Sequence, residues 1–121
     1  MKGLSPTQRT LRVLRQQGAI CGITEHWNYY VGIRQDLFGF IDLIALTSDR
    51  GIVGMQCCAR SGHAAHRKKI LENEVAPEWI KSGGKIEIWS WAKQKLERGG
   101  KAERWMAKVE EITSDNFNGN N

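Results

Sequence analysis

The sequence lacks long apolar segments and is poor in cysteine. No apolar run approaches the length that crosses a bilayer, and the first residues lack the apolar core of a signal peptide. The three cysteines, two of them adjacent, do not make a disulfide framework. These absences argue against a membrane-spanning or disulfide-stapled protein, and we expect a protein of the reducing cytoplasm.

Acidic residues are scarcer than basic ones. The 121 residues include 18 Lys and Arg against 13 Asp and Glu, giving a formal net charge of +5. This balance favours a polyanionic partner such as DNA, although many ordinary globular proteins share it. The length suits one domain with one core, which we assign to residues 1–113, followed by a flexible polar tail at 114–121.

Residues 38–59 predict a β-hairpin. Two apolar segments of strand length flank a polar, turn-forming stretch at 47–51. A hairpin that is symmetric about Asp49 has a defined register. The predicted pairs are Leu46 with Ile52, Ile44 with Gly54, Asp42 with Gln56 and Phe40 with Cys58.

Asp42 is therefore expected to be a carboxylate within an apolar surface. Strand alternation puts it on one face with Phe40, Ile44 and Leu46. A buried carboxylate needs a partner charge, hydrogen bonds or a bound cation, and neither arm of the hairpin contains Lys or Arg. Two interpretations stay open: an Asp hydrogen-bonded to Gln56 and the backbone, or a cation site.

The other elements follow from local patterns. Ser5 and Gln8 form a capping box for a helix over residues 6–17, which Gly18 ends. We further predict a strand at 19–27, a turn at 28–32, a helix that starts with residues 60–71 and has Ile70, Leu71 and Val75 on its buried side, and a helix at 77–82. A strand at 85–91, a loop at 93–102 and a strand or helix at 104–112 complete the prediction. In the strands, Ile86 and Ile88 face opposite to Trp89 and Trp91, while Trp105, Ala107 and Val109 face inward.

The segments DLFGFIDLIAL at 36–46 and VGMQCC at 53–58 resemble the PD-(D/E)XK nuclease superfamily. They look most like its Holliday junction resolvase-like and VRR-Nuc-like branches, which include small phage-type proteins. The resemblance covers about residues 5–112 and agrees with the predicted order of elements. It implies an α+β, restriction-endonuclease-like core: a helix, a three-stranded antiparallel meander, a helix and two further strands in a mixed sheet.

The resemblance also implies a function. It is that of a metal-dependent DNA endonuclease, acting on branched DNA, as a homodimer, in the cytoplasm of the host cell if the chain is phage-encoded. Asp42 would bind Mg²⁺ or Mn²⁺, Gln56 would stand where the family has glutamate, and the Cys57 carbonyl would be a backbone ligand. A single firm carboxylate binds such hard cations weakly, so Glu25 or Asp36 must add a second.

Cys58 occupies the position of the family's catalytic lysine, and a thiol cannot supply that positive charge. In the superfamily a neighbouring element sometimes takes over this role, for which Lys68 and Lys69 are the candidates. His66 is a further candidate for moving a proton.

Two sets of basic side chains are candidate phosphate contacts, one on the first helix and one after the hairpin. A solvated basic face is the alternative for the first set. The candidates are Arg9, Arg12, Arg15, Arg60, His63, His66 and Arg67.

Other chemistries remain as alternatives. Cys57, Cys58, His63 and His66 superficially resemble zinc ligands, but adjacent strand cysteines point to opposite faces and the spacing matches no common zinc motif. The fold could also carry a degenerate site that binds nucleic acid or a protein partner without cleaving. A structural component unrelated to nucleic acid is the third possibility.

Overall fold

The computed structural model describes residues 3–118, and this part of the chain has an α+β architecture. It contains a five-stranded mixed sheet, a two-stranded sheet and four α-helices. The elements are α1 (Pro6–Gln16), β1 (Ile20–Ile23), β2 (His26–Asn28), β3 (Ile33–Gln35), β4 (Leu43–Thr47), β5 (Gly51–Ala59), a 3-10 turn (Arg60–Gly62), α2 (His63–Leu71), α3 (Ala76–Lys81), β6 (Lys85–Lys95), β7 (Glu103–Ile112) and α4 (Ser114–Asn118). Residues 1–2 of the predicted domain and 119–121 of the predicted tail lie outside the described residues.

The large sheet has the strand order β1-β4-β5-β6-β7. Its pairs are antiparallel except β5 with β6, which run parallel and are joined through α2 and α3. The pairs Leu46–Ile52 and Ile44–Gly54 confirm the predicted hairpin register. The α+β class with a mixed sheet is therefore confirmed, while the nuclease-like core stays a prediction.

The hairpin begins later than predicted. A tight turn with positive φ at Phe38 (55°) and Gly39 (85°) precedes β4, and Leu37 and Ile41 close it as an isolated bridge. Consecutive positive φ values are incompatible with an extended strand, so β4 starts only at Leu43. The predicted pair of Phe40 with Cys58 is accordingly wrong.

The strand predicted at 19–27 is broken after Ile23. The backbone N–H groups of Thr24 and Glu25 both donate to the Asp42 carbonyl, at 2.9 and 3.2 Å, and the Thr24 hydroxyl donates to the Ile41 carbonyl at 2.7 Å. These bonds turn the chain out of the large sheet. Residues 26–35 then form a separate antiparallel arm from β2 and β3.

Two apolar layers cover the two faces of the large sheet. Helix α1 packs Leu11 and Leu14 on the face that carries Trp89 and Trp91. Helices α2 and α3 cover the face that carries Ile86 and Ile88, against which Ile70 of α2 packs. The opposite facing of the Ile and Trp pairs confirms the prediction. Hydrogen bonds of 2.9 and 3.1 Å between Ser5 and Gln8 confirm the capping box of α1.

The carboxyl-terminal third differs from the prediction in its boundaries. The hairpin of β6 and β7 extends through residues 93–95, which we expected in a loop, and it excludes a helix at 104–112. Trp105 and Val109 are 41% and 47% exposed because β7 is an edge strand, and Val75 is exposed at the start of α3. Residues 114–118, expected as part of a loose tail, form α4, whose Phe117 packs on the core.

Within residues 3–118, no helix combines the length and the apolar character needed to cross a membrane.

We predict that Gly84→Ala destabilises the fold. A Cβ at this position would overlap the ring of Trp79, whose indole N–H donates to the Lys85 carbonyl at 2.8 Å. We expect the free energy of unfolding, measured by urea titration, to fall by about 1–3 kcal/mol. Gly22→Ala is the matched control, because nothing lies within 4 Å of its added Cβ. Equal effects of the two substitutions would show that the Trp79 ring is free to move.

Candidate metal centre

Three carboxylates converge beside the start of the hairpin. Glu25 follows β1, Asp36 follows β3 and Asp42 precedes β4, and one oxygen of each lies within 4.8 Å of the others. The backbone bonds from residues 24 and 25 to the Asp42 carbonyl bring Glu25 to the site, and the turn at 37–41 brings Asp36. We call Glu25, Asp36 and Asp42 the acid cluster. It could hold a metal ion.

Asp42 is the buried member of the acid cluster, with only 3% of its surface exposed. Its Oδ2 accepts hydrogen bonds from the Gln56 side-chain amide at 2.6 Å and from the Cys57 backbone N–H at 2.8 Å. Among the described residues, no Lys or Arg forms an ion pair with it. Both interpretations offered for this carboxylate therefore apply together: it is hydrogen-bonded to Gln56 and the backbone, and it belongs to a possible cation site.

The surroundings shift the pKa values of Asp42 and Asp36 in opposite directions. Burial, and then the neighbouring Asp36, raise the pKa of Asp42 from 3.8 to about 8. Burial alone would also raise the pKa of Asp36, but hydrogen bonds from Asp42, Lys69 and Gln56 together lower it. In the absence of a cation, Asp42 is thus the protonated partner and Asp36 the ionised one at neutral pH.

Two cationic side chains reach the other two acids. Lys69 Nζ lies 3.0 Å from Asp36 Oδ2, and an Arg34 guanidinium nitrogen lies 3.5 Å from Glu25 Oε1. Of Lys68 and Lys69, the two lysines that the sequence offered as candidates for a catalytic positive charge, the structure brings Lys69 to the acid cluster. Lys68 is exposed on α2.

Gln56 has the chemistry of a further ligand. Its Nε2 donates to Asp42 and, at 3.3 Å, to Asp36, while its buried Oε1 has no hydrogen-bond partner among the described residues. An unsatisfied buried carbonyl oxygen is costly, and rotation of the amide would turn it toward the carboxylates. Carboxylate and amide oxygens are ligands that suit Mg²⁺ and Mn²⁺.

The two adjacent cysteines point into opposite layers. Cys57 packs with the layer under α1, and Cys58 packs with the layer under α2. Burial raises the pKa of the Cys57 thiol to about 12 and also raises that of Cys58. One zinc ion cannot use both thiols, and neither supplies a thiolate at neutral pH. The predicted role of the Cys57 carbonyl as a ligand stays a prediction.

His63 is part of a buried network rather than an exposed phosphate contact. Its Nδ1 lies 2.7 Å from the Ser90 hydroxyl and its Nε2 lies 2.8 Å from Glu110, which also pairs with Arg67 at 2.8 Å. This arrangement counts against the expected role of His63 and partly occupies Arg67. Sequence reasoning missed Ser90 and Glu110, although a polar Ser90 between two buried tryptophans was a usable signal.

The remaining candidate basic residues are distributed differently. Arg9 stacks on Trp105 with its guanidinium carbon 3.8 Å from the ring centroid, whereas Arg12 and Arg15 are exposed. Arg60 donates to the carbonyls of Met106 and Ser90. His66 neighbours Lys69 and Asp36; burial lowers its pKa, and its buried Nδ1 has no partner among the described residues.

A cavity of about 520 Å³ adjoins the acid cluster. Glu25 and Arg34 line it together with the first turn of α1, residues 5–8. Glu25 is therefore the member of the acid cluster that a ligand can reach from the side of α1.

No protein-family model matches the chain, and neither a curated protein nor a solved structure matches it.

We predict that the acid cluster makes stability fall with rising pH when no divalent ion is present. The pKa of Asp42 is higher in the folded protein than the unfolded value of 3.8, so between about pH 4 and pH 8 the folded state binds the extra proton. The contribution of Asp42 to the free energy of unfolding is therefore greatest near pH 4 and is lost as the pH rises toward 8. Asp42→Asn should remove the effect, so that its free energy of unfolding relative to the wild type rises by up to about 4 kcal/mol from pH 5 to pH 8.

Urea unfolding in EDTA at these two pH values measures the difference. Asp49→Asn is the control, because that carboxylate is 73% exposed at the turn. A difference between wild type and Asp42→Asn that does not change with pH would contradict the assigned acidity.

Proposed function

We propose that the protein is a metal-dependent nuclease that hydrolyses phosphodiester bonds in DNA, with branched DNA as the substrate class. The convergence of Glu25, Asp36 and Asp42 on one point beside Gln56 is the observation that carries the proposal. Mg²⁺ or Mn²⁺ would be the ion, because the donor set consists of carboxylate and amide oxygens.

Each side chain of the centre has a distinct role in this proposal. Glu25, Asp36 and Asp42 would hold the ion, with the Gln56 amide either as a ligand or as the donor that orients Asp36 and Asp42. A bound divalent ion supplies Lewis-acid polarisation of the phosphoryl oxygen and lowers the pKa of a water.

Lys69 would provide the positive charge that Cys58 cannot. Lys69 pairs with Asp36 at 3.0 Å, and its ammonium group would be available to the phosphate if a bound ion compensated Asp36 instead. His66, whose lowered pKa favours the neutral imidazole, is within reach of the same group of charges and could accept a proton.

The charge of the chain supports a polyanionic substrate. The net charge is +5, and Arg12 and Arg15 expose their side chains on α1, the helix whose first turn lines the cavity beside Glu25. Three unpaired cysteines are compatible with a cytoplasmic setting.

A second function has a specific observation in its favour. The thiol of Cys58 is buried and has a raised pKa, and the resemblance assigns the family's catalytic lysine to this position. If Lys69 does not compensate for this change, the protein binds nucleic acid or a protein partner without cleaving.

We predict that Asp42→Asn abolishes cleavage. Loss of the central ligand should reduce Mn²⁺-supported cleavage of a panel of duplex, forked and four-way DNA substrates by more than about 100-fold. Asp49→Asn, which changes an exposed carboxylate of the same type, should retain full activity. Cleavage by Asp42→Asn at the wild-type rate would exclude this site, and a wild type that cleaves no substrate would favour the binding function.

We predict that Lys69→Met, but not Lys68→Met, slows cleavage. The two lysines are adjacent on α2, yet only Lys69 contacts the acid cluster. Loss of its charge should lower the single-turnover rate about 100-fold while the Mn²⁺-induced rise in melting temperature persists. Equal rates for the two variants would remove Lys69 from the proposed mechanism.

A further inference from the structure

A two-stranded arm projects directly from the acid cluster. It consists of residues 26–35, that is β2, β3 and their turn, and pairs with itself rather than with the large sheet. Glu25 immediately precedes the arm and Asp36 immediately follows it. Two of the three carboxylates of the candidate metal centre therefore form its base. We call this segment the aromatic arm.

The aromatic arm exposes an unusual amount of apolar surface for so short a hairpin. Tyr30 is fully exposed and Tyr29 is 86% exposed, and Trp27, Val31 and Ile33 are each about half exposed or more, at 46%, 60% and 50%. Trp27 and Tyr29 contact each other edge to face, with ring centroids 6.5 Å apart. Clustered exposed aromatic side chains of this kind mark an interaction surface.

Hydrogen bonds accepted by Asn28 define the turn at the tip of the arm. Asn28 Oδ1 accepts hydrogen bonds from the backbone N–H groups of Tyr30 and Val31 at 2.9 and 3.3 Å, and its backbone carbonyl accepts one from Gly32 at 2.8 Å. Gly32 takes a φ of 69°, which favours glycine. The exposed rings are thus presented on an ordered turn.

The absence of acidic residues makes the arm compatible with a nucleic acid partner, and its Arg34 pairs with Glu25 at the base of the arm. Residues 26–35 include one Arg and one His and no acidic residue, so the arm carries no carboxylate that would repel phosphate. Flat aromatic rings stack on nucleobases whatever the sequence, provided that the bases are not already stacked in a duplex.

The length of the arm suits the same partner. A strand rises about 3.3 Å per residue, so the tip lies roughly 13 Å from Glu25, and stacked nucleotides repeat at about 3.4 Å along one strand. A strand whose phosphate meets the acid cluster therefore offers its third or fourth neighbouring base to the tyrosines.

We propose that the aromatic arm binds unpaired bases about three or four nucleotides from the scissile phosphate, so that the protein selects DNA in which a single strand leaves a duplex, as in a fork or flap. This inference rests on the proposed nuclease function and specifies its substrate class. Tyr29 and Tyr30 at the tip stack on the unpaired bases, and Trp27 supports Tyr29.

The test compares the affinities of the full chain for two DNA molecules. One is a synthetic fork and the other is a fully paired duplex of the same length, each titrated by fluorescence anisotropy in Ca²⁺ with a gel to confirm that the DNA stays intact. Tyr29→Ala/Tyr30→Ala should weaken fork binding about tenfold or more and change duplex binding by less than about twofold. Both side chains are exposed, so the double variant keeps its fold.

Three controls isolate base stacking. Tyr29→Phe/Tyr30→Phe keeps the rings and should bind the fork like the wild type, whereas Tyr29→Leu/Tyr30→Leu keeps apolar surface without rings and should bind like the Ala variant. Ile20→Ala, at a residue 70% exposed away from the arm, should have no effect.

Any of three results overturns the inference. One is fork binding that survives the Ala substitutions, and a second is duplex binding that falls as much as fork binding. The last is a wild-type dimer, seen by analytical ultracentrifugation, that the Ala substitutions dissociate while the affinity for the fork is unchanged. The arm would then be a contact between two copies of the chain.

Failure of the nuclease proposal gives a different result. If the wild type does not cleave in Mn²⁺ but binds the fork more tightly than the duplex, and this preference depends on Tyr29 and Tyr30, the nuclease proposal fails. The aromatic arm then remains a binding site for unpaired bases. If the wild type and the Ala variant cleave forks equally well, the nuclease proposal stands and the proposed role of the aromatic arm is excluded.

Discussion

The burial of one carboxylate, that of Asp42, organises this half of the molecule. A carboxyl group that is 3% exposed is tolerated only where its oxygens find hydrogen-bond partners. The Gln56 amide and the Cys57 N–H donate to Asp42 because β4 and β5 pair in one register. The main-chain carbonyl of the same residue accepts the two bonds that end β1. A shift of the hairpin register by one residue would therefore separate the Asp42 carboxyl from both donors and disrupt the acid cluster.

The centre balances its own charge when no ion is bound. Asp42 keeps a proton because burial raises its pKa to about 8, Lys69 compensates Asp36, and Arg34 compensates Glu25. The unsatisfied Gln56 oxygen remains as a local cost in stability. Such compromises between stability and binding are typical of functional sites, where groups are arranged for a ligand rather than for the fold alone. A divalent ion would replace the proton and the ammonium group as the compensating charges.

Local patterns account for what the sequence could predict. The capping box of α1, the register of the hairpin, the buried Asp42 beside Gln56 and the opposite facing of Ile86 and Trp89 each depend on residues that are neighbours in the chain or joined by one short turn. Glu25, Asp36 and Lys69 were foreseen only as candidates. Whether they meet depends on long-range bonds, such as those that turn residues 24–25 toward Asp42. The Ser90–His63–Glu110 network joins three elements and was missed for the same reason.

The most direct test of the central claim is a crystal structure of the protein soaked in Mn²⁺, with data collected at a wavelength that gives anomalous signal from manganese. The account predicts an anomalous peak within coordination distance of Glu25, Asp36 and Asp42. It also predicts that the Lys69 ammonium moves away from Asp36. A map with no peak at these three carboxylates, and with Lys69 still bound to Asp36, would contradict it.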